Sequence, residues 1–178
     1  MMQAVFFLLN AVVSFFCTLF LLRFMMQLAR VSFAGQIGDF VVKTTNWAVK
    51  PLRRIVPGVA GVDWASLIAA LWLQLMMAGL LLSLSSVELA ADSVGTLLMI
   101  LMLAVRGLIR LAVYILIGAL ILQAVLSWVN PYSPVAPTVN QLVRPILDPL
   151  RRFIPTISGI DLSPLVAILL LQVVLMFV

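Results

Sequence analysis

The sequence predicts an all-α integral membrane protein with four transmembrane helices, arranged as two tandem parallel repeats, each with an interfacial amphipathic loop. Three observations predict it. Hydrophobic residues make up 65% of the chain, charged residues only 10%, and the mean hydropathy is +1.25. Soluble domains run at roughly 45–50% apolar and about 25% charged, so lipid is the expected solvent. Four apolar stretches reach the roughly 17–25 residues that a helix rising 1.5 Å per residue needs to cross a ~30 Å hydrocarbon core. A basic, proline-bounded segment also occurs twice, at Pro51 and again at Pro149.

The first expected span runs from about Gln3 to Leu28 and carries Arg23 near its end, where a long side chain is expected to snorkel to the interface. This stretch has no basic n-region and no A-x-A-like cleavage site, so it reads as a retained helix rather than a cleaved signal. Ser32 to Val49 follows with Ile37, Phe40, Val41 and Trp47 at roughly helical spacing, which suits a helix lying in the interface. The second span is expected from Trp64 to about Ser83, the third from Leu108 to Val129, and the fourth from Leu162 to Val178. Pro134 to Leu147 mirrors the first amphipathic stretch through Val135, Val139, Leu142, Val143 and Ile146. Asn130-Pro131-Tyr132-Ser133-Pro134 is a turn that stops the third span. Trp47, Trp64, Trp128 and Tyr132 fall near the expected interfaces, as an aromatic belt does.

Val94 to Val105 is apolar but too short to cross alone, and Arg106 and Arg110 follow it one helical turn apart. An N-terminal extension of the third helix or an interfacial helix is favoured over a re-entrant segment. A fifth full span would turn the second arginine pair to the opposite side. Nine of the eleven Lys and Arg residues lie at the end of the first span or in the loops between spans one and two and between spans three and four. The positive-inside rule therefore puts both loops in the cytoplasm and both termini outside, in a bacterial inner membrane.

The repeat is the sharpest signal. Pro51-Leu52-Arg53-Arg54-Ile55-Val56-Pro57 returns as Pro149-Leu150-Arg151-Arg152-Phe153-Ile154-Pro155. The same register carries Gly61-Val62-Asp63 onto Gly159-Ile160-Asp161, Leu67 onto Leu165, Ala69 onto Ala167 and Gln74 onto Gln172. Upstream the register slips by two, so that Arg23 to Leu28 pairs with Gln123 to Trp128. Residues 1–90 and 94–178 thus form the expected units. Each holds two spans, an even number, so the copies are parallel and related by an axis along the membrane normal. Pro51 and Pro149 suit the first turn of a short helix, which Pro57 and Pro155 would end. Gly61 and Gly159 suit a tight turn, and Asp63 and Asp161 are placed to cap the following spans by accepting backbone N–H bonds.

At this duplicated PLRR-[IF]-[VI]-P…G-[VI]-D segment the chain resembles the YggT (YlmG-related) family of membrane proteins. The resemblance covers nearly the whole chain, and Ser163-Pro164-Leu165 follows the second Asp as the family pattern has it. The first copy departs from that pattern with Trp64-Ala65-Ser66. For bacterial members the resemblance implies a link to osmotic or envelope stress tolerance and to cell division. For plastid relatives it implies links to nucleoid distribution and cytochrome assembly. It implies no reaction.

Several chemistries have no residues to carry them. There is no histidine, and Cys17, the single cysteine, lies in an apolar run as a small packing residue. No nucleophile–base pair, metal-ligand spacing or phosphate-cradling loop stands out, so neither catalysis nor a cofactor is expected. The basic residues sit beside apolar runs instead of covering a solvated face, which excludes nucleic acid as the partner.

What remains are Arg53, Arg54, Arg151 and Arg152, either as the interfacial turn of a re-entering chain or as a site for anionic headgroups or membrane-protein partners. Gln74 and Gln172 stand near mid-membrane, as interhelical glue that can meet at the bundle centre or as a polar lining with Asn10, Ser14, Thr18 and Gln123. No acidic residue or lysine sits mid-span, which weakens a proton-coupled transporter. Three functions follow: a scaffold or assembly factor, a small oligomeric channel, and an accessory that handles other proteins' helices.

Overall fold

Apolar runs in lipid must satisfy their backbone amides internally, and the described chain does so almost entirely as helix. A computed structural model of the protein describes residues 2–56, 58, 62–84, 93–154 and 161–178. Six helices result: α1 (Met2–Leu28), α2 (Gln36–Ile55), α3 (Trp64–Leu84), α4 (Ser93–Val129), α5 (Ala136–Phe153) and α6 (Ser163–Phe177). Of these, α1, α3 and α4 are long and apolar enough to cross a membrane, whereas α6, with 15 residues, falls short of that length. Pro57, Gly61, Pro155 and Gly159 of the duplicated segment, and the acidic Glu88 and Asp92, lie outside the described residues.

Val94 to Val105 belongs to α4, which runs without a break for 37 residues. At 1.5 Å per residue that is about 55 Å of helix against ~30 Å of hydrocarbon. The segment has no proline before Arg106, and its one glycine, Gly95, stands in the first turn, so nothing interrupts the helix. The two amphipathic helices are longer than their sequence suggests. Pro51 does not open a new helix but lies inside α2, and Pro145 and Pro149 both lie inside α5. A proline frees only the carbonyl four residues back, and in an interfacial helix water can take that bond.

The buried stripe that holds α2 is Gly38, Val41, Thr45 and Val49, while Phe40 and Trp47 are exposed. On α5 the corresponding stripe is Ala136, Val139, Leu142, Val143 and Leu147. Gly38, Val41, Thr45 and Val49 reappear in register as Ala136, Val139, Val143 and Leu147, and Ala65, Ser66 and Ala69 of α3 as Ser163, Pro164 and Ala167 of α6. The cores follow it, with the slip of two residues upstream. Phe20, Val49 and Ala69 pack together in the first half, and Leu120, Leu147 and Ala167 in the second. Within each half the three helices touch one another, and α4 joins the halves by packing on α3 and α1.

α1 ends in a Schellman turn. Val31 N–H donates to Met26 O at 2.7 Å and Arg30 N–H to Gln27 O at 2.9 Å, with Arg30 in the left-handed region at φ 54°. Val31 and Met26, the apolar pair of that motif, are both buried in one cluster. The freed Arg30 carbonyl accepts a 3.1 Å bond from Gln141 Nε2, which ties the end of α1 to α5.

Candidate functional site

The last turn of α2 lies against the start of α3, and that of α5 against the start of α6. There the two halves build the same contact from the same residues. Arg53 forms a two-pronged ion pair with Asp63, Nε to Oδ1 at 3.1 Å and Nη2 to Oδ2 at 2.5 Å. Arg151 Nε reaches Asp161 Oδ2 at 2.8 Å. Both arginines sit in the last turn of their helix, where a cation also complements the dipole.

The aspartates therefore act as clasps first. Asp63 directly precedes α3, but its carboxylate accepts from Arg53 and from Ser66 Oγ at 2.8 Å. Asp161 stands one residue ahead of the helix-capping Leu162 and accepts the Ser163 N–H at 2.9 Å. For Asp63, burial works against the charge. The Arg53 and Ser66 hydrogen bonds, with the charges of Arg53 and Arg23, outweigh it and hold the carboxyl below its ordinary range. Asp161 is lowered in the same way: burial opposes the charge, and Ser163 and Arg151 outweigh it.

The environments differ, and a residue outside the motif makes the difference. Arg23 does not snorkel outward. It is 4% exposed and turns onto the first clasp, with Nη1 donating to Thr45 Oγ1 at 2.7 Å and to Asn46 Oδ1 at 3.1 Å. Its Nε lies 3.3 Å from Asp63 Oδ2, near enough to attract but not aligned for a hydrogen bond. A guanidinium in an apolar setting gains more from a fixed carboxylate and two polar acceptors than from stretching away. In the second half Gln123 takes Arg23's place. It too is buried, but its Oε1 has no partner. Beneath α5 the space beside it is a cavity of about 550 Å³. The Asp161 side chain is 30% exposed against 0% for Asp63. The sequence aligns Arg23 with Gln123 but assigns them snorkelling and a polar lining; that both stand five or six positions before the end of an apolar helix was the available signal.

Arg54 and Arg152, the second members of each pair, are exposed and have no ion-pair or hydrogen-bond partner among the described residues. The mid-membrane glutamines are placed differently from each other. Gln74 is wedged between α1 and α4, against the Cys17 thiol and so close to Gly107 that a Cβ there would stand 2.8 Å from its Oε1. Gln172 is exposed on α6, and no hydrogen bond joins the two among the described residues. The expected co-liners on α1 bond along their own helix: Ser14 Oγ donates to Asn10 Oδ1 at 3.4 Å and Thr18 Oγ1 to Ser14 O at 2.7 Å, whereas Gln27 Oε1 is buried without a partner.

The sequence model of the CCB3/YggT family matches residues 2–84 and 102–178. The chain is 36% identical to an uncharacterized protein of Pseudomonas aeruginosa over 98% of its own length and 88% of that protein's. It is 35% identical to the uncharacterized protein YggT of Escherichia coli K12, over 97% and 88% of the two lengths. A relative from Vibrio alginolyticus is also 35% identical, over 96% and 91%. No solved structure matches the chain.

Proposed function

The chain belongs to the CCB3/YggT family, and from that premise we propose that it is a non-catalytic inner-membrane scaffold whose two basic helices meet anionic lipid or membrane-protein partners from the cytoplasmic side. The observation that carries this reading is the division of labour within each arginine pair. Arg53 and Arg151 are held by Asp63 and Asp161, which fastens each amphipathic helix to the apolar helix that follows. Arg54 and Arg152 are left exposed at the ends of those helices, as a headgroup phosphate requires.

The full arrangement proposed is two tandem parallel copies with four spans, α6 being the fourth, and both termini periplasmic. Its supports are the shared register of buried positions, the like cores and the two separate family matches. An exposed amide on an apolar helix is poorly satisfied in hydrocarbon, so Gln172 marks α6 as the face for self-association or for a partner's helix. Such a scaffold suits a role in osmotic or envelope stress tolerance or in cell division. A solute path draws little support, because Gln74 is packed between helices and Asn10, Ser14 and Thr18 bond along their own helix.

The test is retention of phosphatidylglycerol by the purified protein, read by native mass spectrometry, in wild type and in an Arg54→Gln/Arg152→Gln variant. Two interfacial charges at about 1 kcal/mol each predict a loss of roughly tenfold or more. Unchanged retention in a folded variant removes the lipid reading, and crosslinking from positions 54 and 152 then asks for a protein partner. Solute flux through wild-type proteoliposomes that disappears on Gln74→Leu/Gln172→Leu replacement would establish the channel instead.

A further inference from the structure

The two halves bury different groups at equivalent places, and the difference leaves a vacancy in the second. In the first half the chain's own guanidinium, Arg23, enters from the apolar helix and donates hydrogen bonds under α2 beside the Arg53–Asp63 clasp. In the second half the equivalent Gln123 is shorter and neutral, and its buried Oε1 accepts from nothing. Around it lies the cavity of about 550 Å³ under α5, lined by Asn140, Arg144, Asp148 and Arg151 among others.

The lining states what would fill it. The unpartnered carbonyl requires a hydrogen-bond donor. Arg144 is paired with Asp148 through Nε at 2.9 Å, and Arg151 with Asp161 likewise, which leaves the terminal nitrogens of both arginines for an anion. The lining thus sets acceptors, Gln123 Oε1 and the Asp148 carboxylate, beside the donors of Arg144 and Arg151, so the matching ligand carries both a cation and an anion. Gln123 lies six residues, about 9 Å of helix, before the end of α4 at Val129. That is headgroup depth for a helix ending at the interface.

We propose that this cavity binds a phosphoethanolamine group, its primary ammonium donating to Gln123 Oε1 and facing Asp148, its phosphate facing Arg144 and Arg151. The site is separate from Arg54 and Arg152 and does not depend on their binding anionic lipid.

The experiment compares retention of phosphatidylethanolamine and of phosphatidylcholine with the same acyl chains by the purified full-length protein, using native mass spectrometry. The trimethylated headgroup has no N–H to donate. Wild type is expected to favour phosphatidylethanolamine by roughly tenfold, the order of a charge-assisted hydrogen bond. Gln123→Arg places a tethered cation in the cavity and should bring the ratio to about one. Gln123→Met removes the acceptor at nearly constant size and should do the same should the arginine variant not fold. Phosphatidylglycerol retention should stay at the wild-type level in both, which separates this site from the exposed arginines. Free O-phosphoethanolamine identifies the source: displacement of the lipid assigns recognition to the headgroup alone, and a preference that survives it assigns the whole lipid, either result keeping the site. Equal retention of the two lipids by wild type overturns the proposal, as does a preference unchanged in the folded Gln123 variants.

Discussion

The exchange of Arg23 in the first half for Gln123 in the second, with Thr45 for Val143 and Ser66 for Pro164 beside it, sets how firmly each half is fastened. Asp63 sees two arginines and is fully buried; Asp161 sees one and is partly exposed. Removing one partner of a buried ion pair leaves an uncompensated charge, at a cost of about 3–5 kcal/mol, while an exposed pair contributes about 0–1 kcal/mol. Asp63→Asn is therefore expected to lower stability by the larger amount and Asp161→Asn by the smaller, measured as thermal midpoints in one detergent. A similar loss in both would mean that Arg23 adds nothing to the first clasp. The same pairs predict a pH response. Both carboxyls are held below their ordinary value of 3.8, so their stabilisation is complete above that value and is lost as pH falls through the lower folded one. Stability from this source stays flat between about pH 5 and 8 and declines only below about pH 4. The decline should be shallower in Asp63→Asn than in wild type.

Helices meet here through small residues where a polar side chain must fit. Gly107 on α4 leaves the space that Gln74 of α3 occupies, and that joint links the first half to the second. The first methyl group there meets the mobile end of a glutamine, so Gly107→Ala should be tolerated. Gly107→Leu should destabilise by about 1–3 kcal/mol, the usual range for overpacking. Adding Gln74→Ala should recover part of that loss, because the two side chains contend for one volume. Additive losses in the double-mutant cycle would place the clash elsewhere. The two amphipathic helices were legible in the sequence, but their length was not. Pro51 and Pro149 read as helix starts in one dimension, yet Leu52 and Leu150, packed against the cores just beyond them, keep each helix seated through its proline.

At the scale of the whole molecule the matter is which side each loop faces. With Cys17→Ala as background, single cysteines at 54 and 152 should both react with a membrane-impermeant maleimide only when the cytoplasmic face is opened. One at position 88 should react from the periplasm. Labelling of 54 and 152 from opposite sides would mean that the second half is inverted, and the parallel arrangement would be lost. Cys17 is buried against the alanines of α3, and alanine in its place removes only the sulfur and its weak bond to Ala70 O, so the background substitution should leave the fold in place.

The sequence by itself determined the all-helical class, the family and the register relating the halves, since these follow from apolar run length, hydrophobic periodicity and a motif written out twice. It also marked Arg53, Asp63, Arg151 and Asp161, because a charged residue flanking an apolar run is conspicuous in one dimension. Only the tertiary structure decided what those charges hold. Arg53 and Asp63 are ten residues apart and Arg23 lies forty from Asp63, so their meeting depends on how α1, α2 and α3 pack. Likewise, whether a glutamine is wedged, as Gln74 is, or exposed, as Gln172 is, depends on the helix lying beside it. Periodicity states which face of a helix is apolar, but packing alone supplies the neighbour, and the neighbour decides whether a buried charge or amide is satisfied.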